Sequence, residues 1–144
     1  MHFVKNVLDK KKRDIWSIDP GANVYEALGL MAEKDIGALL VMEGERLVGI
    51  FSERDYARKV ILHGKTSRET LVREIMTPRV IYVHLDQTVE ECMAVMTEKR
   101  IRHLPVLDGP KVVGVISIGD VVKEIIAEQE FVIEQLGNYI MGER

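Results

Sequence analysis

The chain repeats itself. Residues 15–61 laid on residues 80–126 align without a gap at a constant offset of 65. About fourteen positions are identical, among them Val24/Val89, Glu26/Glu91, Met31/Met96, Ile36/Ile101, Gly49/Gly114, Ser52/Ser117 and Asp55/Asp120. Two copies are too few for a solenoid, so the expected arrangement is two units packed by a pseudo-two-fold axis.

Each copy reads in the same order. "IWSI" and "VIYV" are short apolar strand candidates, and each is followed by a capping-box start, Asn23-Val-Tyr-Glu26 and Thr88-Val-Glu-Glu91. Val24, Ala27, Leu28 and Met31 then recur at helical spacing, as do Val89, Cys92, Met93 and Met96, which gives each helix one stripe to bury. Two strands follow around a glycine turn, "IGALLVMEGERLVGIFS" and "IRHLPVLDGPKVVGVIS", with Gly44 and Gly109 where a tight hairpin needs positive φ. A second helix is predicted from about Arg54 to His63, ended by Gly64, and its counterpart from about Gly119 onward. The order β-α-β-β-α, twice, predicts an α+β fold. The expected boundaries are 7–64 for the first motif, 65–79 for a polar linker with one helical turn, 72–127 for the second motif, and 128–144 for a helical extension.

Composition narrows the class. Hydrophobic residues make up 47% and charged residues 30%, as in a folded globular protein. A net charge of −3 gives no basic field, so nucleic-acid binding is not expected as its main task. One cysteine, Cys92, permits neither an intrachain disulfide nor a CxxC metal site, and points to a reducing cytoplasm. No apolar run nears the roughly 18 residues of a membrane span, and the first residues lack a signal-peptide core.

The chemistry-bearing candidates lie at the strand-to-helix junctions. "LVGIFSERD" and "VVGVISIGD" both end a strand in Ser-x-x-Asp. One reading is a helix cap, with Ser accepting a backbone N–H and Asp complementing the positive helix end. The other is a nucleotide contact, since a helix start offers N–H donors and a carboxylate can accept both hydroxyls of a ribose. Asp35, Gly37 and Ala38 in the first copy become Arg100, Arg102 and His103 in the second, groups that could neutralise phosphate. The run Lys10–Arg13 reads as a solvated face or as a neighbour of phosphate, and Cys92 as a core residue. No Ser-His-Asp set, paired catalytic carboxylates, Walker loop or metal-ligand spacing is present, so neither an enzyme nor a metal protein is expected.

With these motifs in hand, the chain resembles a cystathionine-β-synthase (CBS) domain pair, or Bateman module. "VREIMTPRVIYV", "IRHLPVLDG" and the two Gly-h-h-Ser-x-x-Asp segments, where h is apolar, carry the resemblance. It implies two β-α-β-β-α units packed sheet to sheet, often paired into a homodimer, with a cleft for AMP, ADP, ATP, S-adenosylmethionine or NAD(H). AMP is the first expectation. By family pattern Asp120 and Asp55 would hold the ribose, with Ser117 and Ser52 assisting at sugar or phosphate. Thr77, Pro78, Arg79, Val80, Arg102, His103, Leu104 and Pro105 would frame the second site. Ile15, Trp16, Gly37, Ala38 and Leu39 would frame the first, with Arg54 and Arg58 able to supply charge. The first copy departs from the pattern, with Leu40 in place of Pro105 and Lys12-Arg13 where the Thr-Pro pair would be. Two pockets of different charge are therefore expected.

The function implied is a stand-alone, non-catalytic sensor whose ligand occupancy is passed to an unknown effector protein. The alternative is an assembly protein in which both Ser-x-x-Asp motifs are only caps. Val122, Ile125, Ile126, Phe131, Ile133, Leu136 and Ile140 predict a long amphipathic helix with a stripe left over, which suits a homodimer.

Overall fold

A computed structural model describes residues 2–11 and 14–140. In chain order the elements are α1 (Val4–Lys10), β1 (Ser17–Ile18), α2 (Val24–Lys34), β2 (Ala38–Glu43), β3 (Arg46–Ser52) and α3 (Glu53–Asp55). A π-helical segment, Tyr56–Ile61, continues α3. Then come α4 (Val72–Ile75), β4 (Val83–His84), α5 (Val89–Lys99), β5 (His103–Asp108), β6 (Lys111–Ser117) and α6 (Ile118–Ile140). The α+β class and the doubled β-α-β-β-α order are both present. Among the described residues no helix is long and apolar enough to cross a membrane.

The local signals act where the sequence puts them. Asn23 Oδ1 accepts the Glu26 amide at 2.9 Å and Thr88 Oγ1 accepts the Glu91 amide at 3.1 Å, so α2 and α5 start on their caps. Both helices end on a left-handed residue, Asp35 and Arg100, 65 positions apart. Each sheet has three strands in sequence order, the first parallel to the second and the second antiparallel to the third. The hairpins turn at Gly44 (φ 63°) and Gly109 (φ 60°), and both carry a bulge at equivalent positions, after Val41 and after Val106. The first strands are shorter than "IWSI" and "VIYV" suggest: Ser17 and Ile18 find a partner strand in the first, and only Val83 in the second, where His84 completes β4. Val24/Val89, Ala27/Cys92, Met31/Met96, Leu39/Leu104, Val41/Val106 and Phe51/Ile116 are all buried, so the two cores are built from matching positions.

The chain divides into two compact units, and the division does not follow the repeat. One unit is 14–81; the other joins the N-terminal segment to residues 82 onward. The segment that precedes each copy thus packs in the unit of the other copy. Val72 and Arg73 donate backbone hydrogen bonds to Ala22 and Pro20 in the first unit; Val4 and Lys5 donate to Gln87 and Leu85 in the second. Acceptors keep the offset of 65, whereas the donors are 68 apart. Three residues, 12–14, are the extra length, of which Lys12 and Arg13 lie outside the described residues.

These lead-in segments lie directly against a strand glycine. A Cβ on Gly49 would stand 2.5 Å from Met76 Sδ and 3.1 Å from the Thr77 carbonyl oxygen. One on Gly114 would stand 2.8 Å from Leu8 Cδ2, and Leu8 is itself fully buried. Gly114→Ala should therefore cost about 1–3 kcal/mol, the usual range for overpacking. In urea unfolding, the double variant with Leu8→Ala should lose less than the sum of the two single variants.

Candidate functional site

The two Ser-x-x-Asp junctions fold alike. Ser52 and Ser117 end β3 and β6, and the amides of Glu53 and Ile118 are taken by the carbonyls of Gly37 (3.1 Å) and Arg102 (2.8 Å). Each serine then accepts the aspartate amide, at 3.3 Å for Asp55 and 3.2 Å for Asp120. In return each aspartate accepts the serine amide on Oδ2, at 2.9 Å in both. This reciprocal pair fixes the orientation of each carboxylate, with Asp55 7% exposed and the Asp120 side chain 23% exposed.

Each aspartate also meets a lysine, from different sources. Lys59, one turn on along its own helix, reaches Asp55 Oδ1 at 3.0 Å and also donates to the Ile75 carbonyl. Thr77 Oγ1 lies 3.5 Å from the same Oδ1. Position 59 is matched in the second copy by Glu124, so a helix lysine is not available there. Lys11, just after α1, supplies the cation instead, 2.7 Å from Asp120 Oδ2 and 3.0 Å from the Val115 carbonyl. Glu124, 6% exposed, takes Lys10 at 3.0 Å and His2 Nδ1 on Oε1.

The remaining candidates fall into two groups. Gly37, Ala38 and Leu39 lead into or lie on β2, where Ala38 pairs with Ser52 and Leu39 with Phe51, so they sit with Ser52 and Asp55. Trp16 is half-buried with the Lys34 ammonium 4.3 Å from its ring centre; Ile15 and Arg54 are exposed. His103, Leu104 and Pro105 pair with Ser117, Ile116 and Val115, beside Asp120, while the Arg102 side chain is exposed. Thr77, Pro78, Arg79 and Val80 belong to the unit 14–81. There Thr77 bridges Ile50 in both directions and neighbours Asp55. In the unit of Asp120 the lead-in register puts Asp9, Lys10 and Lys11 where Thr77, Pro78 and Arg79 stand in the first. Cys92 is buried, and burial, with the charges of Glu91 and Glu90, pushes its thiol up to about 11. It stays protonated and packs as a core side chain.

A model of the CBS domain matches residues 4–62 and 72–127. The chain belongs to the CBS domain family. As a CBS domain pair it is a regulatory type of module. It is 40% identical over 124 residues to the Arabidopsis thaliana protein "CBS domain-containing protein CBSX3, mitochondrial", covering 83% of this chain and 60% of that one. A solved protein with CBS domains from Burkholderia ambifaria MC40-6 is 54% identical, with a TM-score of 0.86 over 88% of this chain and 96% of that one. The CBS domain pair of protein MJ0100, solved with 5′-methylthioadenosine and S-adenosyl-L-methionine, is 25% identical. Its TM-score is 0.79 over 89% of this chain and 98% of that one.

Two carboxylates of this CBS pair link stability to pH. Burial pushes the Asp120 carboxyl up, but the Lys11 ammonium with the amide and hydroxyl of Ser117 outweighs it and holds the pKa below 3.8. Burial likewise raises Glu124, and Lys10 with His2 brings it below 4.5. A carboxylate whose pKa is lower in the folded state stabilises that state above its unfolded pKa, and the contribution disappears as pH falls through the folded one. Stability in urea should therefore decline from about pH 5 downward. Asp120→Asn and Glu124→Gln should each start less stable at neutral pH and show a shallower decline.

Proposed function

We propose that this CBS domain pair is a non-catalytic sensor of an adenosine-containing ligand, with AMP first and ADP, ATP or NAD(H) as alternatives. The observation that carries the reading is the Asp120 carboxylate, set at the start of α6 and held in one orientation by the Ser117 amide. Such a carboxylate is a strong acceptor for a ribose diol. The two adenosine compounds in the MJ0100 pair support the same class of ligand. A signal requires that ligand favour one state of the module over another. Its recipient is an effector protein.

The capping geometry favours a second reading, an assembly protein, because both junctions form complete reciprocal caps. Asp120→Asn separates the two in calorimetric titration with AMP. The sensor loses about tenfold or more in affinity, one charged hydrogen bond's worth. The assembly protein loses about 0.3–1 kcal/mol of stability and binds no differently. Asp55→Asn should have a smaller effect on binding, since the frame of the first site departs from the family pattern, with Leu40 in place of Pro105.

We also propose a homodimer held by the second half of α6. Phe131, Ile133, Leu136, Tyr139 and Ile140 are 57–84% exposed on that helix, too large an apolar surface to leave in water. Ending the chain after Gln129 should turn a dimer into a monomer in analytical sedimentation at micromolar concentration. An unchanged sedimentation coefficient per chain would reject the interface.

A further inference from the structure

The Asp120 carboxylate is already occupied from within the chain. Lys11 Nζ bonds the same oxygen, Oδ2, that the Ser117 amide holds, and its second bond goes to the Val115 carbonyl. Both partners of the ion pair are reachable from solvent, with side chains 36% and 23% exposed. In the unit 14–81 the carbonyl matching Val115, that of Ile50, takes the Thr77 backbone amide at 2.9 Å. The cation there, Lys59, rides on the aspartate's own helix. The cation at Asp55 is thus anchored beside it, whereas the one at Asp120 comes from a separate segment, at the residue that follows α1.

We infer that Lys11 is a built-in competitor for Asp120, so that a ribose taking this carboxylate unfastens the C-terminal end of α1. The inference rests on the reading of Asp120 as the ribose acceptor. The rest of α1 stays docked, because Val4, Val7 and Leu8 are buried and Lys10 keeps its separate ion pair with Glu124. The release is therefore local, and it delivers a freed ammonium at one site only. The negative charge of Asp120 is compensated by Lys11 in the empty state, which lowers affinity for an uncharged diol and sets a threshold for occupancy.

The test uses the full chain with adenosine and AMP as probes. Lys11→Met keeps the aliphatic stem and should bind adenosine several-fold more tightly than the parent, while Lys11→Arg, which keeps the charge, should bind like the parent. Acetylation of Lys11 by an amine-reactive ester, followed by mass spectrometry, should accelerate at saturating adenosine, with exposed Lys5 as the internal reference. If Asp120→Asn weakens both probes but Lys11→Met and Lys11 labelling show no change, the ribose reading stands and the competitor is overturned. Weaker binding of adenosine by Lys11→Met also overturns it, since Lys11 then assists the ligand. If Asp120→Asn leaves both probes unaffected, the ribose reading fails, and the competitor with it.

Discussion

A segment of chain lies across a strand at the one residue that has no side chain, and this happens in both units. Gly49 under Met76 and Gly114 under Leu8 let the lead-in backbone come close enough to bond the loop before each capped helix. Cores this dense leave no room for an added methyl without displacement. The same approach decides what reaches the helix start. It carries Thr77 to Asp55 in one unit and Lys11 to Asp120 in the other.

The two junctions are alike in backbone and different in charge. Exchanging Lys59 for Glu124 removes the helix cation near Asp120 and creates a buried carboxylate, which meets Lys10 and His2. Lys10 itself is 61% exposed, so solvent screens its pair with the buried Glu124. The first unit keeps its charge balance within one helix and the second spreads it over two segments. Equal ligand behaviour at the two junctions is not to be expected from that arrangement.

Much of this was legible in the sequence because it is local. Asn23, Thr88, Gly44, Gly109 and the Ser-x-x-Asp spacing each act on neighbours three or four residues away, and the repeat doubled every signal. The exchange of lead-in segments was not legible at an offset of 65, since residues 12–14 shift the register to 68. A pattern was there to find: Val4, Val7 and Leu8 repeat Val72, Ile75 and Met76. Lys11 stood inside a basic run read as solvated or phosphate-directed, because its partner is 109 residues away. Lys59 and Glu124 carry little signal, as a mismatch between copies says less than an identity.

The exchanged segments also set an order of assembly. Residues 14–81 form their unit from one continuous stretch of chain. The other unit joins residues 2–11 to residues 82–140, which are far apart in sequence, and contacts of that separation are slow to close. Domains fold as they emerge during synthesis, N-terminal parts first. Here residues 2–11 have no partner surface until residues 82 onward have been made. Residues 2–11 are made well before the surface on which they pack.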